Sequence, residues 1–169
     1  MNSNLKISLR VLAIDPGTRG FGFVVLEGPC SLVDWGTKEV KTDKHTRSLQ
    51  KIGALIDTYQ PDVMVIEDIA DKTCRRCPRV RELLRGVSQL AWEKKIKMRK
   101  FSCLKVRHAF SEVQAVTKHE VTGVITARFP ELAPWQPPLR KAWMSEDERQ
   151  AVFDAMAFAL TFFHFENNC

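Results

Sequence analysis

The stretch RVLAIDPGTRGFG, residues 10–22, decides the fold because it carries one carboxylate, Asp15, out of an apolar strand and directly into a turn. A second apolar strand, Val63–Ile66, delivers Glu67 in the same way. Charged groups are rarely tolerated at the ends of buried apolar runs unless something binds or neutralises them. The two carboxylates therefore predict a site for a divalent cation.

The first half of the chain predicts an antiparallel meander followed by a helix and a further strand. Three short segments have the apolar pattern of strands, and these are Arg10–Ile14, Phe21–Leu26 with the turn Pro16-Gly17 before it, and part of Leu32–Val40. Apolar residues then recur at helical spacing in Thr46–Tyr59, and Gln60-Pro61 ends that helix before Val63. A helix between two strands of one sheet implies a parallel crossover.

The second half predicts another crossover and a closing helix. The predicted elements are a basic helix over Val80–Lys95, a strand over Met98–Cys103, a helix over Val113–Phe129, a proline-rich loop over Pro130–Pro138 and a last helix over Ser145–His164. Ser145 and Glu148 have the spacing of a capping box at the start of that last helix. The sequence therefore predicts an α/β fold with a five-stranded mixed sheet flanked by helices.

Length and cysteine content bound the class of protein. A chain of 169 residues suits one domain, spanning residues 1–169, and can bury a core without staples. Five cysteines without repeating spacing argue against a disulfide framework and for a reducing compartment. The polar start MNSNLK argues against a signal peptide, and no run is long enough to span a membrane. We expect a soluble intracellular protein.

Positive charge is concentrated in the middle of the chain. The net charge is +6 overall, yet residues 72–107 contain thirteen Lys and Arg against two Glu, so the rest of the chain is net acidic. A block of this kind attracts a polyanion, although a solvated helix face is the alternative interpretation. The nearby acidic strand ends favour nucleic acid as the partner.

Three motifs, in order and at compatible spacing, carry a resemblance to a known family. AIDPGTRGFG, VIED and FDAMAFAL resemble the first, second and last motifs of the RuvC family of Holliday junction resolvases, within the ribonuclease H-like superfamily. The resemblance implies the ribonuclease H-like fold and a metal-dependent DNA endonuclease that resolves four-way junctions by paired symmetric nicks. It also implies a homodimer, since two related cuts need two sites, and a cytoplasmic or other reducing, DNA-containing compartment.

The resemblance implies that Asp15, Glu67 and Asp154 are the catalytic, metal-binding carboxylates. The family commonly places a further acid or histidine three residues before the last aspartate, where this chain has Ala151. Asp147 is expected on the same helix face as Asp154 but about 10 Å away along the helix, too far to share a metal pair. Glu148 is then explained as the capping-box acid, and Glu146 and Asp147 as favourable charges at the helix N-terminus, either of which could still contact a metal through water.

The residue types themselves favour particular ions. Carboxylates offering only oxygen suit Mg²⁺, with Mn²⁺ able to substitute, and two ions per site would supply both a nucleophile and a counter-charge for the leaving oxygen. Asp15 could instead cap its turn, and Asp154 could be an exposed acid on a surface helix. Its apolar neighbours Val152, Phe153, Ala155 and Met156 make that second interpretation costly.

Six basic residues are candidate DNA contacts. Arg75, Arg76 and Arg79 follow Glu67, where resolvases that this chain resembles offer groups to the junction centre, while Lys105, Arg107 and Lys118 match basic positions near the scissile phosphate. Ordinary surface charge is the alternative for each of the latter three. Cys74 and Cys77 form a C-x-x-C without a second pair, so a cysteine-containing basic loop is favoured over a zinc site.

Two other functions remain open at the level of the sequence. A ribonuclease H-like nuclease acting on hybrids, flaps or single strands would use the same carboxylates, and only substrate geometry separates it from a resolvase. A catalytically inert nucleic-acid binding module of the same fold is the second alternative, and Ala151 is the residue that favours it.

Overall fold

A computed structural model describes residues 8–166 of the chain. The strands are β1 (Arg10–Pro16), β2 (Gly20–Glu27), β3 (Leu32–Glu39), β4 (Val63–Glu67) and β5 (Lys97–Phe101). The helices are α1 (Lys44–Tyr59), α2 (Pro78–Glu93), α3 (Cys103–Ser111), α4 (Lys118–Arg128) and α5 (Gln150–Glu166), with a short 3₁₀ helix at Pro130–Trp135.

The five strands form one mixed sheet in the order β3-β2-β1-β4-β5. The pairs β1–β2 and β2–β3 are antiparallel, whereas β1–β4 and β4–β5 are parallel. The predicted meander followed by parallel crossovers is therefore confirmed.

Helices cover both faces of the sheet, which explains why the central strands are apolar on both sides. Alternate residues of β1 and β4, such as Leu12, Ile14 and Met64, pack against α1 and α2. The other set, including Val11 and Ala13, packs against α5 and parts of α3 and α4. Asp15 and Glu67 follow this second set by two residues in each strand, so both lie towards α5.

The predicted start of the last helix was wrong. The last helix begins at Gln150 rather than Ser145, and the predicted Ser145–Glu148 capping box does not form. Gln150, Ala151 and Val152 instead donate to carbonyls three residues earlier, so a tight turn precedes the helix. Asp147 therefore lies outside α5, and the helix rise assumed between it and Asp154 does not apply.

The segment predicted as one helix over Val113–Phe129 is also different. Strand β5 ends at Phe101, Ser102 caps α3 by accepting from the Lys105 backbone N–H at 3.3 Å, and a second helix, α4, starts only at Lys118. A capping box is present at Thr117 and Glu120, at the start of α4. The proline-rich segment contains the 3₁₀ helix rather than only loop. Within residues 8–166 no helix is both long and apolar enough to cross a membrane.

Candidate active site

Asp15 and Glu67 are held by neighbouring parallel strands. Ala13 of β1 is in register with Val65 of β4, and each carboxylate comes two residues later in its strand. Both side chains are almost fully buried, at 3% and 4% exposure. Strand geometry thus fixes two acids side by side at one edge of the core.

Asp154 reaches the same place from α5. Asp15 pairs with Gly22 across the β1–β2 ladder, and a Cβ at Gly22 would lie only 2.3 Å from the backbone carbonyl carbon of Ala151. Because Gly22 has no side chain, the first turn of α5 packs directly on the sheet beside Asp15. Asp154 is one turn further on and is close enough to Asp15 to perturb its pKa.

Arg76 bridges the two strand-borne acids. Its Nη2 donates to Asp15 Oδ1 at 2.5 Å, its Nε donates to Glu67 Oε2, and its Nη1 donates to the Pro16 carbonyl at 3.1 Å. Burial would lower the pKa of Arg76, but the charges of the two carboxylates raise it. The guanidinium therefore stays charged and offsets part of the negative charge of the two carboxylates.

Lys118 bridges two acids on the helix side of the site, as Arg76 does on the strand side. Its Nζ donates to Asp154 Oδ2 at 2.7 Å and to Glu146 Oε1 at 2.6 Å. Burial opposes the charge of this ammonium group, yet the attraction of Asp154 and then Glu146 raises its pKa. Gln150 donates to the other oxygen of Asp154 at 2.9 Å. This half of the site is assembled by α4, α5 and the turn before α5.

Burial raises the pKa of Asp15 from 3.8 to about 7; Arg76 opposes this rise, and the charges of Asp154 and Glu67 add to it. Burial also raises the pKa of the Cys103 thiol to about 11, helped by Glu67, whose Oε1 accepts from Sγ at 3.5 Å. Burial and the neighbouring carboxylates thus both disfavour the charged form of Asp15.

The carboxylates fit a hard divalent cation in chemistry and charge. Four carboxyl groups, those of Asp15, Glu67, Asp154 and Glu146, are paired with two cations, Arg76 and Lys118, so carboxyl groups outnumber cations in this part of the structure. Each of these side chains offers only carboxylate oxygens, which are the ligand atoms that Mg²⁺ and Mn²⁺ prefer. No three His, Cys, Asp or Glu side chains among residues 8–166 are grouped to hold a metal, and Arg76 occupies the space between Asp15 and Glu67. Cation binding therefore requires the guanidinium to withdraw.

The remaining predicted DNA contacts have different positions. Arg75 and Arg79 line a cavity of about 360 Å³ that also contains Asp15, Arg76 and Ala151. Lys105 and Arg107 are exposed on α3, and Lys105 lies over the Phe101 ring at 6.0 Å rather than against a carboxylate. The structure thus brings Arg76 and Lys118 into contact with the acids and places Arg75 and Arg79 at the rim.

Sequence reasoning missed three contributors to the site. Glu146 was interpreted as a helix N-terminal charge that could reach a metal through water, Gln150 was not considered, and Cys103 was placed on a strand. No local pattern distinguishes these residues, because each contact depends on how the turn before α5 and the start of α3 pack. Glu148, predicted to cap the helix, forms an ion pair with Arg19 at 2.9 Å instead.

Comparison with solved structures identifies the fold. The Thermus thermophilus RuvC structure in complex with a Holliday junction substrate is similar, with a TM-score of 0.69 and 17% identity over 95% of this chain and 96% of that one. Another Thermus thermophilus RuvC structure is similar with a TM-score of 0.67 and 19% identity, over 95% of this chain and 96% of that one. The yeast mitochondrial Holliday junction resolvase Ydc2 is similar with a TM-score of 0.64 and 15% identity, over 98% of this chain and 82% of that one. The chain has the ribonuclease H-like fold of these resolvases.

Sequence comparison gives the family. No curated protein sequence matches the chain significantly. The family model for crossover junction endodeoxyribonuclease RuvC matches residues 11–137, which is most of the chain and includes Asp15 and Glu67 but not Asp154. The chain belongs to the RuvC family of crossover junction endodeoxyribonucleases.

Proposed function

We propose that this protein is a divalent-metal-dependent endonuclease that resolves four-way DNA junctions by paired symmetric nicks. The observation that carries the proposal is the convergence of Asp15, Glu67 and Asp154 from two strand ends and one helix of a RuvC-family fold. The similar Thermus thermophilus RuvC was solved with a Holliday junction substrate. Paired nicks need two sites, so the active form is a two-fold homodimer.

Asp15, Glu67 and Asp154 are the residues that would hold the metal. When bound there, Mg²⁺ or Mn²⁺ supplies the positive charge that favours attack of water on the phosphodiester and departure of the leaving oxygen. The guanidinium of Arg76 must leave Asp15 and Glu67 before a cation binds between them. The proposal has two ions per site once these carboxylates are free.

The basic residues bind the substrate backbone in this proposal. Arg76 and Lys118 exchange their carboxylate partners for phosphate oxygens, which keeps each cation paired throughout. Arg75 and Arg79 at the rim of the cavity contact the flanking phosphates, and Lys105 and Arg107 on α3 extend the positive surface. In this proposal the protein acts in a reducing compartment that contains DNA.

The deciding experiment is gel analysis of products from an immobile four-way junction labelled on each strand in turn, with Mg²⁺. We expect nicks at symmetric positions on two opposing strands and ligatable duplex products. Hybrid, flap and linear substrates of the same sequence provide the comparison. Preferred cutting of one of these would establish instead a ribonuclease H-like nuclease of different substrate class.

A second candidate function has a specific observation in its favour. Arg76 bridges Asp15 and Glu67, and Ala151 occupies the position of a family acid, as expected for an inert module that binds junctions without cutting them. Titration of the protein with Mn²⁺ in a calorimeter, with and without junction DNA, separates the two. Binding of Mn²⁺ that Asp15→Asn abolishes supports the nuclease, and no binding under either condition supports the inert module.

A further inference from the structure

The segment between the 3₁₀ helix and α5 presents large apolar side chains to solvent beside the candidate active site. We name residues 136–149 the Trp143 loop. Trp143 is 80% exposed, and Leu139 and Met144 are exposed as well. Leaving a side chain of this size in water forgoes the stabilisation that its burial would give. The concentration of three such residues within six positions indicates a surface that a partner covers.

The charge around these side chains indicates what the partner is. Lys141 Nζ lies 5.3 Å from the Trp143 ring centroid, and Arg140 Nε donates to the Met144 carbonyl at 2.8 Å, so both cations are held next to the apolar group. Residues 138–145 contain no acid. An exposed aromatic ring flanked by basic side chains suits a nucleobase with its phosphates, since every base offers a face for stacking.

The acids at the base of the loop do not cancel this positive surface. Glu146 is paired with Lys118, Asp147 with Arg149 at 2.7 Å, and Glu148 with Arg19. These ion pairs fix the end of the loop to α4 and to the turn after β1.

The loop is continuous with the candidate active site. A cavity of about 440 Å³ lies between it and the start of α4, and its lining includes Leu139, Arg140 and Met144 together with Lys118 and Glu146. Lys118 also contacts Asp154, so the cavity beside the loop adjoins the candidate active site. Trp143 lies beyond residue 137, where the family match ends.

We propose that the Trp143 loop is a stacking platform for an unstacked DNA base next to the cleaved phosphodiester, with Arg140 and Lys141 contacting the flanking phosphates. The proposal rests on the proposed function, because it assumes that the site binds branched DNA. At a four-way junction, bases at the exchange point are the ones that can leave the stack at least cost. A second copy of this chain is the alternative occupant of the apolar surface.

The test compares Trp143 with Trp92, which is also largely exposed, at 74%, but lies on α2 outside the Trp143 loop. Trp143→Ala, Trp143→Phe and Trp92→Ala are prepared in the cleavage-defective Asp15→Asn background, and binding to an immobile junction is measured by anisotropy without Mg²⁺. We expect Trp143→Ala to weaken binding about tenfold, the loss of one stacked base, while Trp143→Phe stays within about threefold. Trp92→Ala should match the parent protein.

A second measurement locates the base. 2-aminopurine is placed in turn at each position near the exchange point, and its fluorescence is followed on binding. We expect one position to change with the parent protein and with Trp92→Ala but not with Trp143→Ala. Circular dichroism confirms that the variants keep the fold, as expected for a change at an exposed side chain.

The outcomes separate this proposal from the proposed function. If the parent protein binds the junction and Trp143→Ala binds equally well without altering any 2-aminopurine signal, the stacking platform is wrong and the resolvase proposal stands. If Trp143→Ala lowers self-association in sedimentation equilibrium but leaves the 2-aminopurine signal intact, the occupant is a second copy and the proposal is overturned. If the wild-type protein neither binds nor cuts branched DNA, the proposed function itself fails.

Discussion

The two halves of the candidate active site are built on different physical bases. In the strand half, Asp15 and Glu67 are buried at the ends of paired strands and share the guanidinium of Arg76. In the helix half, Asp154 and Glu146 share the ammonium of Lys118, and their side chains are 16% and 44% exposed. The strand half is fixed by the backbone register of the sheet, whereas the helix half depends on one close packing contact and a turn. Sequence patterns therefore describe the first half better than the second.

The largest effect is expected from the acids that both halves contribute. Asp15→Asn should reduce junction cleavage at least about a hundredfold, because it removes a charge that would hold the metal while keeping the size of the side chain. Junction binding should be retained or become tighter, since less negative charge then opposes the phosphates. Glu67→Gln and Asp154→Asn should behave alike. Cleavage within a few fold of wild type for any of the three removes that residue from the catalytic set.

The packing contact that joins the two halves gives the next effect. Gly22→Ala would place a Cβ 2.3 Å from the Ala151 carbonyl carbon, so α5 must move away from the sheet. We expect a loss of about 1–3 kcal/mol in the free energy of unfolding, together with a loss of cleavage. Gly53→Ala on α1, whose added Cβ meets nothing within 4 Å, is the control and should be neutral or stabilising. Equal melting temperatures for the two variants would contradict this account of how Asp154 is positioned.

Substitution of Arg76 tests whether its guanidinium limits metal binding in the strand half. The guanidinium occupies the place between Asp15 and Glu67, so a cation must compete with it. Arg76→Ala should raise the Mn²⁺ affinity of the DNA-free protein about tenfold, which corresponds to about 1.4 kcal/mol of removed competition. Calorimetry measures this directly, and Arg75→Ala, at the rim of the same cavity, should leave the affinity unchanged. An unchanged affinity for Arg76→Ala would mean that the guanidinium does not obstruct the cation.

The raised pKa of Asp15 predicts a pH dependence of stability in the metal-free protein. Because the folded-state pKa is about 7 against 3.8 in the unfolded chain, the unfolded state loses its proton first as the pH rises. Asp15 therefore lowers the free energy of unfolding progressively between about pH 4 and pH 7. Relative to wild type, Asp15→Asn should therefore gain free energy of unfolding as the pH rises over this range. We expect a gain of at least about 1 kcal/mol, which corresponds to roughly one pKa unit. Urea titrations in EDTA at pH 4.5 and 7.5 measure it, and parallel behaviour of the two proteins would contradict the raised pKa.

The contrast between the halves also explains what could be read from the sequence. The apolar strands, the turn after Asp15 and the strand end at Glu67 are local patterns, so the five-stranded mixed sheet was predicted, with Asp15 and Glu67 at strand ends. The start of α5 was wrong because Glu146 and Glu148 pair with distant cations, Lys118 and Arg19, rather than capping the helix. Helix α3 was missed because Phe110 is its one buried residue, which leaves little periodicity to detect. Arg76 was predicted as a DNA contact, and its bridge to the acids depends on a loop path that no spacing rule predicts.

The smallest effect is expected at Asp147, which tests whether the helix half contains another metal-binding acid. Its carboxylate accepts from the Arg149 backbone N–H at 2.9 Å and pairs with the Arg149 side chain, which lowers the pKa of Asp147. These contacts assign Asp147 to the turn that starts α5 rather than to the metal. Asp147→Asn should therefore keep cleavage within about threefold and leave the Mg²⁺ dependence of nicking unchanged, since an amide oxygen still accepts from Arg149. Ala151→Asp supplies the contrast, because it adds a carboxylate one turn before Asp154 and should shift half-maximal nicking to lower Mg²⁺. If Asp147→Asn is as inactive as Asp15→Asn, the turn holds a fourth metal ligand and the helix half is as essential to metal binding as the strand half.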